Sequence, residues 1–564
     1  MKFEDYQYER CNVKDIKAEC SSIMEKMEKA KDYDAFKSAF LAFDTLQKHV
    51  ETMQSLGYVR YTINTLDPFY NEENEYWDEN GPLIGEIYTK VKKLILNSPF
   101  VEELKKEMPK TYFMGIENEL KVFDEKIIGD MQEENRLTSA YQKLIASAQI
   151  EFKGDTYTLA SLSAKTVDSD KDVRKEALQA YWNWYDENED KIDDIYDKLV
   201  HIRDGMAKKL GFKDYVEMGY IRMNRFDYNR EDVANYRKQV LEDVVPVANH
   251  LYERQRKRLN CDVLRCYDEK FEFESGNPTP KYPTDTLVKI ANEMYHELSK
   301  ETGTFFDFMV DHNLLDLDAK KGKASGGYCT TLTDYKSPFI FSNANGTNDD
   351  VETLTHEAGH AFQVYSSMNV IPCECIWPTM ESAEIHSMSM EFITWPWMKN
   401  FFEEDVEKFY YLHLGGAIKF IPYGILVDHF QHEVYENPDM SANERKAIWR
   451  KLEKQYLPHK NYEDCEFLEK GTWWFRQGHI FLDPFYYVDY TLAQVCALQF
   501  WNRCQNNDQE VFNDYYEICK LGGTKTFTEI VKNASLKVPF EEGCLKAVMK
   551  TADDYLSNID DTKL

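Results

Sequence analysis

The chain has 564 residues, 43% of them apolar and 14% aromatic, enough to bury a large core and to exclude wholesale disorder. A formal net charge of −31 at pH 7 repels nucleic acid and anionic membranes, so neither is an expected partner. Only 24 glycines and 17 prolines punctuate it, which favours a mainly helical protein.

The first residues, MKFEDYQYERCNVKD, lack the apolar core of a secretion signal. His413–Val427 is the most apolar stretch, but it is short and broken by Lys419 and Pro422, so no segment is expected to span a membrane. Twelve cysteines are scattered without framework spacing. Cys373 and Cys375 form the tightest pair, and no second pair completes a thiolate zinc site. Free thiols in a reducing cytoplasm are therefore expected, and Asn345-Gly346-Thr347 is then no glycosylation site.

Apolar residues recur at helical spacing from residue 12 to 57, with Gly57 read as the end of a second helix. Residues 84–149 continue in helices, with breaks expected at Pro99 and Pro109. Around Gly154-Asp155, residues 150–162 alternate in polarity and predict a hairpin. A long helical tract then runs to about Leu259, interrupted at Gly211 and around Asn224–Asn229. No Gly-, Ser- or Pro-rich linker follows; the loop 276–283 comes nearest, and neither repeats nor low-complexity tracts occur. Residues 321–347 form a second non-helical region. Tyr328 and Cys329 stand where a nucleotide loop needs Lys-Ser or Lys-Thr, so a strand pair is expected instead. Its edge, at Gly326, Gly327 and Tyr328, is a candidate to bind an extended peptide by strand addition.

Next comes Asp349–Gln363, DDVETLTHEAGHAFQ. Acidic starters and the absence of proline from Val351 to Ser367 predict one helix. On it His356 and His360 are four residues apart and share a face, the geometry that grips one metal ion. Glu357 projects about 100° round from His356, placed to hold a water molecule beside the metal. A catalytic zinc needs a third protein ligand. A third histidine at HExxHxxGxxH spacing fails, because Gln363 and Ser366 occupy the required places. A downstream helix, Thr379–Trp395, offers Glu381, Glu384, His386 and Glu391. Glu384, Ser387 and Glu391 share a face, and Glu381, three residues before Glu384, is the alternative ligand.

HEAGH followed by E-x-x-S-x-x-x-E resembles the thimet oligopeptidase/oligoendopeptidase F family of zinc metallopeptidases. GKASGGYC, SNANGT, THEAGHAFQ, VDHFQHEVYENP and HIFLDPFYYVDY resemble its bacterial oligoendopeptidase F branch, and DKDVRKEALQAYWNWY does so more loosely. The resemblance covers about Ile150 to the C-terminus and is strongest over residues 320–495. It implies one zinc per chain on His356, His360 and Glu384. It further implies that His479 and tyrosines of its segment, Tyr486 and Tyr490 foremost, donate hydrogen bonds to the substrate carbonyl. Val488 stands where that branch more often has a tyrosine, so Tyr487 is a further candidate. The implied fold is mainly α, a helix-rich body split by a deep substrate channel, with a small β-sheet beside the zinc helix. An N-terminal helical region (1–190) and a catalytic region (191–564) are expected.

His429 and His432 do not form the inverted HxxEH motif and read as ordinary helix residues. His386 sits beside the ligand face and reads as a support to the ligands or as structural, rather than as a ligand. The expected function is that of a zinc endopeptidase of short peptides, with Glu357 as general base. A zinc aminopeptidase shares HExxH but would carry Gly-x-Met-Glu-Asn, which is absent. A non-enzymatic peptide-binding scaffold would not need Glu357.

Overall fold

A computed structural model describes residues 1–324, 326–462, 465–506 and 508–564. Most of these are helical, as expected, and the strands make two small sheets. Strands β1 (Ile150–Phe152) and β2 (Asp155–Tyr157) form an antiparallel hairpin. Its two-residue turn is Lys153-Gly154, both at positive φ, rather than Gly154-Asp155: Asp155 already pairs with Phe152. Such a turn matches the right-handed twist of the strands it joins. Strands β3 (Leu315–Asp318), β4 (Tyr328–Leu332) and β5 (Ser337–Ala344) form the second sheet, in the order β3-β5-β4. β4 runs antiparallel to β5, and β3 runs parallel to it.

Contacts divide the chain into two compact units. One comprises Met1–Leu120, Thr279–Val406 and Cys496–Leu536; the other comprises Lys121–Pro278, Glu407–Val495 and Lys537–Leu564. No described helix is long and apolar enough to cross a membrane, and all twelve cysteines are free thiols.

In the first unit the helices Val13–Glu28 and Tyr33–Ile63 pack Ile16, Ile23 and Met27 against Phe36, Phe40 and Phe43. The second of these helices does not end at Gly57. It continues to Ile63, and a Cβ on Gly57 would lie 3.1 Å from the Tyr8 ring, so this glycine serves close packing rather than termination. Breaks do fall at the two prolines: helices end at Leu96 and Glu107.

Helix α1 (Asp349–Ser367) lies against β5 and β4, and α2 (Met380–Ile393) packs along it. β5 is central in its sheet and covered by α1, which buries its first six residues; hence the short apolar run at Pro338–Ser342. The tightest approach is at Gly359. A Cβ there would stand 2.6 Å from the His386 carbonyl oxygen and 2.7 Å from the Ser387 Cα, both backbone atoms of α2. Helix α3 (Val511–Leu521) supports this contact from behind: its Tyr515 hydroxyl donates to the same His386 carbonyl at 2.8 Å.

Two effects oppose each other at Gly359. Alanine favours a helix interior by about 0.5–1 kcal/mol over glycine, whereas forcing atoms into a packed contact costs about 1–3 kcal/mol. Because the obstacle is backbone, the second wins, and Gly359→Ala should lower the melting temperature. A higher melting temperature in a calorimetric scan would show that α1 and α2 have room to spare.

Candidate metal centre

Helix α1 begins at Asp349 without a side-chain cap from Asn348. Instead the Asp350 carboxylate reaches back to accept the backbone N–H groups of Asn345 (2.9 Å) and Gly346 (2.7 Å), fixing the loop that leads in from β5. Nearly two turns further on His356 emerges, and His360 about one turn after it. His356, His360 and Glu384 bring one ligand atom each into a cluster whose atoms all lie within 4.8 Å of one another, the only such group among the described residues. His356 Nε2 is 3.3 Å and His360 Nε2 3.5 Å from Glu384 Oε2.

These separations fit a metal. Two atoms at 2.0–2.1 Å from a tetrahedral zinc stand roughly 3.3–3.4 Å apart, and two imidazoles with one carboxylate is a known catalytic donor set. The groups around the cluster hold it in that geometry. His356 Nδ1 is 2.7 Å from Glu391 Oε1, which turns Nε2 toward Glu384. Ser387 Oγ donates to Glu384 Oε2 at 2.8 Å. Burial disfavours charge on His356, but hydrogen bonds to Glu384 and Glu391 outweigh it and hold its pKa well above the ordinary value. For Glu384 burial again opposes charge, and the His360 and His356 imidazoles outweigh it, holding the carboxyl well below the usual range.

Glu357 is buried beside the cluster, and its Oε2 has no hydrogen-bond partner. Burial, only partly offset by the imidazoles, raises its pKa. A Cβ on Gly327 would lie 3.5 Å from Glu357 Oε1, so the chain entering β4 passes directly by this carboxylate. The Cys329 thiol is pushed well up by burial and by the Glu357 charge. Gly326 adopts φ +94°, and its carbonyl accepts from Asn343 Nδ2 at 2.8 Å, as does that of Ala324. Tyr328 stacks on Phe341, and its hydroxyl hydrogen-bonds Thr62 Oγ1 at 2.5 Å.

Glu381 is buried but outside the cluster. His386 is fully buried; its Nδ1 meets the Ser382 carbonyl at 2.7 Å, and burial lowers its pKa to about 4. Sequence spacing placed Glu391 on the ligand face but gave no sign of its bond to His356.

In the second unit His479 lies on the short helix Gly478–Leu482, its Nδ1 2.9 Å from Gln477 Nε2, and Gln477 Oε1 accepts from the Tyr423 hydroxyl at 2.7 Å. The rings of Tyr487, Tyr486 and Tyr490 stand 5.1, 5.7 and 5.9 Å from the His479 ring, so all four aromatics gather in one partly exposed group. Phe485 is fully buried and holds φ +70°. Gln431 Oε1 accepts its N–H at 3.0 Å, and Arg225 donates to its carbonyl and to Asp489 Oδ1 at 2.9 Å. Arg225 and Gln431 went unnoticed in the sequence, since nothing local marks them. His429 and His432 bond Tyr456 (3.0 Å) and Tyr220 (2.9 Å) within this unit.

The same organisation recurs in known proteins. A model of the Peptidase M3 N-terminal domain matches residues 3–123, and one of Peptidase family M3 matches residues 165–550. The oligoendopeptidase F homolog of Borreliella burgdorferi is 23% identical over 534 residues, 88% of each chain. Oligopeptidase PepF of Bacillus subtilis is 20% identical over 89% of this chain and 78% of its own. Among solved structures, PZ peptidase A with inhibitor 2 superposes with a TM-score of 0.95 at 47% identity, over 100% of both chains. With the helix that carries His356 and His360 inside the longer match, which spans more than half of its length, the chain belongs to peptidase family M3.

Proposed function

We propose that this metallopeptidase is a zinc-dependent endopeptidase of short peptides, an oligopeptidase. The observation that carries the reading is the His356–His360–Glu384 cluster with an unpartnered Glu357 carboxylate oxygen beside it. Family membership and the names of its relatives, oligoendopeptidase F and oligopeptidase, support the substrate class. Twelve free thiols suit a reducing compartment and support a cytoplasmic location.

His356, His360 and Glu384 would hold one zinc ion. Bound there, zinc supplies Lewis acidity, which makes a water molecule more acidic and polarises a carbonyl. Glu391 and Ser387 keep the ligand side chains in place. Glu357 takes a proton from the attacking water as that oxygen bonds to the scissile carbon, then gives it to the amide nitrogen as the C–N bond breaks. Water is consumed, and a carboxylate and an amine are released. The carbonyl oxygen gains negative charge only as water adds. Donors aimed at that charge, the proposed role of His479 with Tyr486 or Tyr490, therefore favour the transition state over bound substrate. Gly326, Gly327 and Tyr328 are proposed to run beside the bound peptide.

Four outcomes are expected. Elemental analysis should find one zinc per chain, lost in Glu384→Ala and kept in Glu381→Ala; the reverse result would make Glu381 the ligand. A peptide with a blocked N-terminus should be cut internally, which excludes an aminopeptidase. Glu357→Gln should keep its zinc yet cut that peptide about 10²–10⁴-fold more slowly, and near-normal turnover with metal bound would refute the general-base assignment. Tyr486→Phe or Tyr490→Phe should lower kcat by about 10²–10³ with KM little changed. Full kcat in both variants would leave these tyrosines as packing aromatics.

A further inference from the structure

The second unit holds a partly open cavity of about 270 Å³, lined by none of the residues proposed for the metal chemistry. For scale, a cavity of about 150 Å³ holds a benzene ring. Leu159, Leu178, Tyr181, Tyr185 and Trp473 supply apolar and aromatic wall. Such walls suit an apolar group of about the size of one or two side chains.

Arg476 also lines the cavity, its guanidinium 5.2 Å from the centre of the Trp473 ring. It is half-buried and, among the described residues, makes no hydrogen bond or ion pair. The strongest influences on its charge, after burial, come from the phenols of Tyr181, Tyr423, Tyr185 and Tyr487, none of them a carboxylate. An arginine placed so has up to five N–H donors and a full charge to offer an incoming group. This sets Arg476 apart from the other deeply placed arginines of the unit: Arg174, Arg203, Arg225 and Arg237 each hold a carboxylate within 3 Å.

The remaining charges tip the same way. Glu269 lines the cavity and would repel an anion, but Lys460 pairs with it at 2.6 Å. Lys460 itself sits 3.7 Å from the Trp473 ring. Lys270 is a further lining cation. With the Glu269 charge offset in this way, Arg476 is the lining cation that no described carboxylate pairs. The chain's net charge of −31 is spread over its surface and screened within about 8 Å at physiological salt, so the unpaired Arg476 decides what the cavity attracts.

We propose that this cavity binds the C-terminal carboxylate of a short peptide whose last side chain is apolar. Arg476 pairs with the carboxylate through parallel N–H bonds, and the side chain lies against the tyrosine and tryptophan walls. A phosphate, with more acceptor oxygens and no apolar group, would leave those walls unused. The assignment goes beyond the proteolytic reading and does not rest on it, because binding is measured without turnover.

The test is isothermal titration of the full chain carrying Glu357→Gln, so that nothing is hydrolysed, with acetyl-Ala-Leu and with its C-terminal amide. The free acid should bind at least about tenfold more tightly than the amide, the usual scale of a charge-assisted pair. In Arg476→Met that ratio should fall to about one. Ala160→Trp puts bulk at the exposed rim of the cavity and leaves the Arg476 side chain itself unchanged, and it should weaken acid binding at least about tenfold. It decides the matter if Arg476→Met does not fold. Equal binding of acid and amide, a ratio that survives Arg476→Met in a folded chain, or undiminished acid binding in Ala160→Trp would each overturn the proposal. Displacement of the dipeptide by an equal concentration of inorganic phosphate would overturn the carboxylate assignment.

Discussion

The His356–His360–Glu384 cluster depends on one backbone contact, the crossing of α1 over α2 at Gly359. His360 follows that glycine directly, and His356 lies one turn before it. Glu384 lies just before the α2 backbone, at His386 and Ser387, that faces the glycine. With a side chain at the crossing the two helices would stand further apart, and the 3.3 and 3.5 Å separations between ligand atoms would open. A metal site tolerates little of this, since ligand distances are fixed to within about 0.2 Å. The same His386 carbonyl that abuts Gly359 accepts the Tyr515 hydroxyl, so α2 is pinned from both sides.

Charge imposes the second constraint. Glu357, Glu384 and Glu391 are gathered near two imidazoles in a largely buried space. Isolated buried carboxylates are costly, and each must find a partner or lose its charge. Glu391 takes His356 Nδ1, and Glu384 takes Ser387 and faces both Nε2 atoms. Glu357 is the exception: its Oε2 is left unpartnered and its pKa is raised. A carboxylate that the fold does not satisfy, beside a cluster that fits a cation, is suited to exchanging a proton with something that comes and goes.

Which features could be read from the chain follows from the range of the interactions that set them. The α1 helix and the shared face of His356 and His360 rest on spacing within a few residues, and both were legible. So were the β4–β5 pair and the hairpin, although the hairpin's turn lies one residue earlier than its Gly-Asp pair suggested. Glu381 and Glu384 could not be told apart by spacing, because both lie near one face of α2; only the crossing at Gly359 brings Glu384 to the histidines. Gly57 was misread for a similar reason. Its local signal is that of a helix end, and the Tyr8 ring that explains it lies 49 residues away in the chain. Strand β3 went unseen: its LDLD alternates in polarity, but over only four residues, two of them aspartates that disfavour strands, and it depends on pairing with β5.

The His479–Tyr490 segment shows how far such distant control extends. Phe485 reads as a core aromatic, and it is one, but its burial comes with φ +70°, a conformation that costs a non-glycine residue about 1–3 kcal/mol. Strain of this size persists only where the surroundings over-determine it. Here Gln431 holds the N–H, Arg225 holds the carbonyl, and the ring lies so close to Gly219 that a Cβ there would stand 2.7 Å away. Arg225 and Asp489 form an ion pair with both side chains fully buried, of the kind that adds little net stability but strongly resists losing either partner. A glycine at position 485 would carry the same turn without strain, yet it would give up the ring that fills the space between Gly219, Tyr215 and Tyr435. Phenylalanine anchors the turn by its ring while the clamp fixes its backbone. That turn sets the start of the Tyr487–Gln505 helix, and with it the spacing of Tyr486, Tyr487 and Tyr490 around His479. The arrangement of the four aromatics is thus dictated less by their own sequence than by an arginine 260 residues before Phe485.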